Sequence, residues 1–345
     1  MNYDVTIGIP VYNVERYICS ALESALAQTY QSIEFLIVDD CCTDMSIDIV
    51  RNYQQKHSRG CDIHIIHQPY NMGVSMARNC IIDEAQGSYL YFMDSDDVIE
   101  PDTITLLMKH QRRIDADIVF GSSDKLETFN NNRVVDIIQY PQRDLLGEDQ
   151  LACYAFRQYR GLQTNIWNFC VKLDILRKSG LRFQNINYWE DMVFMFDLVT
   201  YCNRSILLPQ ITYHYLCRYD SLSNYQERNY IKREEIERNI FAVDFMKQHT
   251  ERLKLRPYYS QCCYYVMMTY FYIVCNIIKN QNKIMPPYSK REMRDILAFP
   301  LSLKDILSFK SRKFEVFFLY LLGVLPPSVS INIVSVLGKS KGLIV

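Results

Sequence analysis

The stretch "SYLYFMDSDDVIEP", residues 88–101, decides the fold prediction because an apolar run ends in three carboxylates, Asp94, Asp96 and Asp97. A short apolar run bounded by polar residues predicts a buried strand. Carboxylates this close together repel one another unless a cation lies between them. The end of this strand is therefore a candidate site for a cation or for a ligand that carries one.

The sequence on the N-terminal side of this stretch alternates between strands and helices. "DVTIGIPVY", "IEFLIVDD" and "IHIIHQ" read as strands, and the segments between them have apolar residues at helical spacing. This alternation predicts right-handed crossovers and a mostly parallel sheet with helices on both faces. Ligands of such sheets bind at the carboxyl ends of the strands. We therefore expect Asp39 and Asp40, which end the second strand, to share a crevice with Asp94, Asp96 and Asp97.

A divalent cation bound to phosphate oxygens would relieve the repulsion in this crevice, because Mg²⁺ and Mn²⁺ prefer oxygen ligands. The plainer alternative is a solvated helix start, where carboxylates complement the helix dipole. A calcium loop is disfavoured because Ile99 occupies the position that needs glycine. The first strand is not followed by G-x-G-x-x-G, and no P-loop motif occurs in the sequence. These absences disfavour a dinucleotide oxidoreductase and a P-loop kinase.

The composition narrows the class of protein further. The 345 residues are 49% hydrophobic and carry a formal net charge of -1, so no global basic field predicts a nucleic-acid partner. Twelve cysteines form no C-x-x-C pair, and six histidines show no paired ligand spacing. With no leader pattern before "VTIGIPVYN", we expect free thiols in a reducing cytoplasm.

The stretches "IGIPVYN", "QTYQSIEFLIVDDCCTD", "NMGVSMARN", "GSYLYFMDSDDVIEPD" and "WEDMVFMF" resemble, in this order, the motifs of the family 2 glycosyltransferases. The resemblance implies an α/β protein of the GT-A fold, Rossmann-like with a mostly parallel sheet, over residues 1–225. A helical C-terminal extension would follow over residues 226–345. The implied reaction is a metal-dependent, inverting transfer of a hexosyl or N-acetylhexosaminyl group from a nucleotide-diphosphate donor, with a UDP-sugar expected. The acceptor would be a hydroxyl of a glycan or lipid-linked molecule in bacterial cell-surface polysaccharide synthesis.

The resemblance also implies roles for individual residues. Asp40 would hydrogen-bond the base, Asp94 would lie near the ribose, and Asp96 would bind Mn²⁺ or Mg²⁺, with His214 completing the metal shell. Asp191, the second acid of "WEDMVFMF", would be the catalytic base that takes the acceptor's proton. The full set expected to contact the donor is Pro10, Tyr12, Asn13, Glu15, Asp40, Arg78, Asp94 and Arg218.

Several of these residues also have a structural interpretation. Asn13 could cap the first helix, and Tyr12 could pack rather than contact a base. Asp191 could complement a helix dipole, and His214 could be packed within a tyrosine-rich strand. For Trp167 we favour a place in the core over a platform beneath a sugar ring.

The C-terminal region contains two apolar segments. "YYSQCCYYVMMTYFYIVCNII" is long enough to span a membrane, but its six tyrosines favour a buried or interfacial helix. "VFFLYLLGVLPPSVSINIVSVLG" is divided by Pro326 and Pro327, which predict a break between two helices. Its basic flanks are typical of a segment on an anionic membrane surface, and a hairpin packed on the catalytic domain or on a second subunit is the alternative. We expect a cytoplasmic protein in peripheral contact with the inner face of the membrane.

Two rival functions remain open at this point. A sugar nucleotidyltransferase also uses carboxylates and a metal, but it would be expected to carry a glycine-rich basic loop after its first strand. "IPVYNVERY" is not such a loop. A non-catalytic subunit that binds a nucleotide-sugar would retain the same pocket, although the presence of both Asp96 and Asp191 weighs against it.

Overall fold

The structure is a computed structural model that describes residues 3–128, 133–157, 162–186, 189–217 and 230–344. The chain divides into two units by its internal contacts. The first unit comprises Met1–Leu151 and Gln163–Ser221, and the second comprises Ala152–Leu162 and Leu222–Val345.

The first unit is built on a sheet of ten strands in the described part of the chain. Their order is β3-β2-β1-β4-β9-β6-β10-β5, with β7 paired to β6 and β8 paired to β10. The strands β3, β2, β1 and β4 run parallel, as do β6 and β10, whereas β9 is antiparallel to both of its neighbours. The bounds are β1 Val5–Val11, β2 Ile33–Asp39, β3 Ile63–His67, β4 Tyr89–Phe92, β5 Val98–Ile99, β6 Ile118–Glu127, β7 Arg133–Ile138, β8 Arg143–Leu146, β9 Phe169–Lys172 and β10 Arg204–Cys217.

Helices connect these strands and form most of the second unit, which also contains a short parallel pair, β11 Ile231–Lys232 and β12 Ile284–Met285. The helices are α1 Ile18–Leu26, α2 Ser46–Lys56, α3 Val74–Glu84, α4 Thr103–Ile114, α5 Gln150–Arg157, α6 Leu173–Ser179, α7 Glu190–Leu198, α8 Arg233–His249, α9 Tyr259–Lys279, α10 Lys290–Ile296, α11 Leu303–Ser308, α12 Lys313–Val324 and α13 Pro327–Ser340.

Alternation along β1 explains why helices cover both faces of the sheet. Ile7 and Ile9 belong to a buried cluster that includes Ile18 of α1. Gly8 points to the opposite face, where a Cβ atom would lie 2.3 Å from the Cγ2 of Ile81 in α3. Since successive strand residues face opposite sides, β1 is covered by α1 on one side and by α3 on the other. The predicted mostly parallel sheet with flanking helices is confirmed.

The second unit has α9 at its core. Among the described residues, α9 is the one helix that is long and apolar enough to cross a membrane, with a mean hydropathy of 1.3 over its best window. However, 72% of that window is buried inside the protein. The expectation of a buried helix is confirmed. The predicted break at the proline pair is also confirmed, because α12 ends at Val324 and α13 begins at Pro327.

Candidate active site

The turn after β4 gathers three carboxylates. Ligand oxygens of Asp94, Asp96 and Asp97 all lie within 4.8 Å of one another. Asp97 is fully buried, and it accepts hydrogen bonds from the hydroxyl of Tyr213 at 2.7 Å and from the backbone N–H of Leu216 at 2.8 Å. Burial, together with the charge of Asp94, raises the pKa of Asp97 well above its ordinary value. Asp97 therefore ties the acidic turn to β10, while the oxygen donors of the cluster suit a hard divalent cation.

Arg78 connects this turn to α7. Its side chain is only 4% exposed, and its Nη2 donates to Oδ1 of Asp94 at 3.1 Å. Its Nη1 donates to Oε1 of Glu190 at 3.1 Å and to Oδ1 of Asp191 at 2.5 Å. Burial disfavours the charged guanidinium, but the three carboxylates outweigh burial and raise the pKa of Arg78. A charged arginine thus holds acids from two distant parts of the sequence together.

Asp191 lies in the first turn of α7, beside Glu190. The pKa of Asp191 is raised to about 8. Burial and the negative charges of Glu190 and Asp94 raise it, and the ion pair with Arg78 lowers it. A carboxyl group with a pKa near neutral pH can both accept a proton and keep it during a reaction. The residue predicted as the catalytic base therefore shares Arg78 with Asp94 of the acidic turn, and its role as the base stays a prediction.

Asn13 and Glu15, which follow β1, hold the loop that comes after β2. Oδ1 of Asn13 accepts from the backbone N–H of Thr43 at 2.8 Å, and Oε2 of Glu15 accepts from that of Met45 at 3.0 Å. Asn13 has a φ of 50°, and α1 begins only at Ile18. The alternative that Asn13 caps the first helix is therefore wrong, because its side chain is bonded to the neighbouring loop instead.

Asp40 holds the loop that precedes α3. Its Oδ1 accepts from the backbone N–H of Met72 at 2.7 Å, and its Oδ2 accepts from that of Gly73 at 2.9 Å. Gly73 has a φ of 87°, a conformation that favours glycine. Burial nevertheless raises the pKa of Asp40 above its ordinary value. The predicted contact of Asp40 with the base of the nucleotide stays a prediction. Its observed contacts with Met72 and Gly73 anchor the loop before α3.

Pro10 and Tyr12 occupy the carboxyl end of β1 and the position just after it. Pro10 is part of β1, where it pairs in register with Val38, and Tyr12 follows the strand and is 46% exposed. The contact of Tyr12 with the base of the nucleotide stays a prediction, and so does the packing alternative. Arg218, the remaining predicted donor contact, lies outside the described residues.

His214 lies on β10, where both of its ring nitrogens contact carboxylates. Nδ1 lies 2.7 Å from Oδ1 of Asp124, and Nε2 lies 2.9 Å from Oε1 of Glu100. Burial lowers the pKa of His214, but the hydrogen bonds with these two acids outweigh burial and raise it. The predicted metal-ligand role of His214 stays a prediction that these contacts do not favour, because both nitrogens are already engaged.

Two residues near the site were not assigned a function from the sequence. Tyr213 anchors Asp97, and its ring stacks on Trp167 with centroids 4.3 Å apart. Trp167 is 4% exposed, so the expected place in the core is confirmed. Glu190 and Asp191 both contact Arg78. The position of Glu190 next to the predicted base was the one feature of the sequence that could have pointed to it. Tyr213 gave no signal beyond its alternation within a tyrosine-rich strand.

Comparison with known proteins decides the family. A family model described as "Glycosyl transferase family 2" matches residues 6–182, more than half of the chain. The chain belongs to glycosyl transferase family 2. This match begins within β1 and includes β2 to β4, the acidic turn and Arg78, and it confirms the family resemblance seen in the motifs.

Relatives and solved structures of the family agree with this assignment. The minor teichoic acid biosynthesis protein GgaB of Bacillus subtilis is 26% identical over 273 residues, which cover 74% of this chain. The chain spans only 28% of the length of that relative. The structure of S. aureus TarS 1-349 in complex with UDP-GlcNAc matches with a TM-score of 0.67 at 18% identity, covering 99% of this chain and 92% of that one.

A second solved structure extends the comparison. The mannosyltransferase PcManGT from Pyrobaculum calidifontis, in complex with GDP-Man and Mn²⁺, matches with a TM-score of 0.50 at 14% identity. The match covers 98% of this chain and 88% of that chain. At such identities the likeness shows the fold alone, and it confirms the GT-A fold expected for this family 2 chain.

Proposed function

We propose that the chain transfers a sugar from a nucleotide-diphosphate donor to a hydroxyl of a glycan or lipid-linked acceptor, with inversion at the anomeric carbon. The observation that carries the proposal is the meeting of Asp94 and Asp191 on the guanidinium of Arg78. This contact joins the turn after β4 and the first turn of α7 through one guanidinium. Inverting transfer needs a base on one side of the anomeric carbon and a site for the leaving diphosphate on the other.

Asp191 is the base in this proposal. The acceptor oxygen forms a bond to the anomeric carbon, the bond from that carbon to the diphosphate oxygen breaks, and the acceptor's proton moves to Asp191. The raised pKa of Asp191, about 8, favours retention of that proton. Arg78 fixes the position of the carboxylate through the 2.5 Å contact, so it serves as a positioning residue.

Asp96 is the metal ligand in this proposal, and Asp94 lies beside it near the ribose. Three carboxylates within 4.8 Å are oxygen donors of the kind that Mn²⁺ and Mg²⁺ prefer. When bound there, either cation would stabilise negative charge on the leaving diphosphate as a Lewis acid. The Mn²⁺ in the mannosyltransferase structure supports a metal-dependent reaction. Pro10, Tyr12, Asn13, Glu15, Asp40 and Arg218 complete the proposed donor site.

The donor and the acceptor are proposed from the comparisons. TarS holds UDP-GlcNAc, which supports a UDP-sugar, whereas the mannosyltransferase holds GDP-Man, which makes GDP the alternative. The name of GgaB supports a role in cell-surface polysaccharide synthesis. In this proposal residues 1–225 bind the donor and catalyse transfer in the cytoplasm. Residues 226–345 contact the inner face of the cell membrane.

A calorimetric titration of UDP, with Mn²⁺ and then with EDTA, tests the donor site. We expect binding that requires the metal and that Asp96→Ala abolishes. Asp102→Ala is the matched control, because Asp102 is an exposed carboxylate on the same segment that precedes α4. GDP replaces UDP in a parallel titration. UDP binding that persists with EDTA or with Asp96→Ala would contradict the assignment of the metal site.

A further inference from the structure

The helix α12 presents an apolar face to solvent. Phe314, Phe317 and Phe318 are 83%, 39% and 41% exposed. Residues three and four positions apart lie on the same side of a helix, so these rings form one surface, which we call the phenylalanine stripe. Val316 and Leu322 of the same helix are fully buried. The helix is therefore anchored in the second unit by one side, while its opposite, aromatic side is partly exposed to solvent.

Positive charge is concentrated in the part of the sequence that contains α12. Residues 303–341 contain six Lys or Arg and two Asp or Glu, a net charge of +4 in a chain whose formal net charge is -1. One of the two acids, Glu315, is paired with Arg312 at 3.1 Å. Lys313 precedes Phe317 by four residues, which places both on the same side of α12. An apolar stripe beside Lys313, in a segment of net positive charge, is complementary to an anionic, apolar surface.

The length of α12 determines whether this helix could span a membrane or would lie on its surface. The helix α12 has 12 residues, so it extends about 18 Å and is shorter than the roughly 30 Å apolar core of a bilayer. The longer helix α9 is largely buried inside the protein. Short helices with an apolar face and basic residues lie in the plane of the membrane interface.

We infer that the phenylalanine stripe and its neighbouring lysines dock the second unit on an anionic lipid surface, with α12 lying parallel to that surface. This inference deepens the membrane contact in the proposed function and rests on that proposal for the nature of the occupant. The phenyl rings insert at the boundary between headgroups and acyl chains, and Lys310 and Lys313 contact anionic headgroups. Docking of this kind would keep the protein beside a lipid-linked acceptor.

Vesicle co-sedimentation of the full chain tests the surface. The wild type is expected to bind vesicles of equal phosphatidylcholine and phosphatidylglycerol and to bind pure phosphatidylcholine weakly. Combined Phe314→Ser, Phe317→Ser and Phe318→Ser should weaken binding more than about tenfold. Lys310→Gln and Lys313→Gln should each weaken binding to the anionic vesicles by about fivefold. Phe241→Ser is the matched control, since Phe241 is 56% exposed on α8.

A tryptophan reporter locates the contact without removing it. Phe314→Trp should be quenched by vesicles that contain brominated lipid, whereas Phe241→Trp should not. Because Phe317 and Phe318 are only 39% and 41% exposed, the triple serine variant should lose some stability, and its thermal midpoint verifies that it stays folded at the assay temperature. Light scattering of the wild type and of the triple serine variant measures oligomeric state.

Three outcomes would overturn the inference. The first is a wild type that stays in solution with anionic vesicles, and the second is a triple serine variant that binds as the wild type does. The third is a wild-type oligomer that the triple variant converts to a monomer, which would show that a second copy covers the stripe. UDP binding distinguishes the proposed donor site from the proposed lipid contact. A protein that binds vesicles without binding UDP would contradict only the donor site. A protein that binds UDP without binding vesicles would contradict only the lipid contact.

Discussion

Arg78 and Asp191 are joined by a 2.5 Å contact between Nη1 and Oδ1, although they lie 113 positions apart in sequence. The guanidinium also holds Asp94 and Glu190, so three carboxyl groups surround one buried positive charge. Removing one partner of a buried ion pair leaves the other charge uncompensated. The position and the protonation of the proposed base therefore depend on Arg78.

Arg78→Lys should lower kcat more than it changes KM. A lysine ammonium cannot reproduce the planar fork that contacts three carboxylates, and a misplaced base can lower the rate by about 100-fold. Arg78→Ala should in addition lower the free energy of unfolding by about 3–5 kcal/mol. Steady-state kinetics and urea unfolding measure the two effects. Arg59→Lys is the control, because Arg59 donates to the carbonyls of Gln28 and Gln31. Equal kinetics for the two lysine variants would refute the positioning role.

The rate should depend on the protonation of Asp191. A base acts in its deprotonated form, and the raised pKa of about 8 means that Asp191 is mostly protonated below that pH. We therefore expect kcat/KM to rise about tenfold per pH unit up to a pH near 8. Glu190→Gln removes a neighbouring negative charge, so it should lower the pKa of Asp191 and move the rise to lower pH. A profile that the Glu190 substitution does not move would contradict this origin of the pKa.

Asp40→Asn separates anchoring of the loop before α3 from recognition of the nucleotide's uracil or guanine. The amide keeps one acceptor oxygen but loses the second, so one of the N–H bonds from Met72 and Gly73 should be lost. The free energy of unfolding should fall by about 1–3 kcal/mol. If Asp40 also contacts the base, UDP affinity should fall more than GDP affinity in calorimetry. Equal losses would show that Asp40 anchors the loop alone.

His214→Gln tests whether the histidine completes the metal shell. Because both ring nitrogens already contact Asp124 and Glu100, we expect Mn²⁺-dependent UDP binding to weaken less than about tenfold. Asp96→Asn should weaken it by more than about 100-fold, beyond the effect of an outer-shell group. Parallel Mn²⁺ titrations at a fixed UDP concentration compare the two variants. A loss for His214→Gln as large as that for Asp96→Asn would identify His214 as a ligand.

The sequence could predict the sheet and its acidic edge because both follow from local pattern. Apolar runs alternating with helical segments specify parallel strands, and the carboxyl ends of those strands fall together by topology. The break after α12 could also be predicted from local sequence, because Pro326 and Pro327 separate the end of α12 from the start of α13. The position of Asp191 relative to Asp94 came only from family resemblance, because no local rule relates them.

Tertiary contacts decided the features that the sequence could not. Arg78 was expected to contact the donor, and that contact stays a prediction. The sequence did not show that Arg78 would be buried among Asp94, Glu190 and Asp191. Asn13 looked like a helix cap because residue type alone suggested one. Its left-handed backbone and its bond to Thr43 depend on the adjoining loop. Likewise, helical spacing alone did not show which face of α12 would be buried.

The most direct measurement of the proposed chemistry compares Asp191→Asn with the wild type in two assays on the same preparation. One is UDP release from a panel of UDP-sugars with a lipid-linked glycan fraction as acceptor, and the other is calorimetric UDP binding with Mn²⁺. We predict that transfer falls by about 100-fold or more while UDP affinity stays within about threefold, a change under 0.7 kcal/mol. Transfer that survives the substitution would contradict the assignment of Asp191 as the base that deprotonates the acceptor.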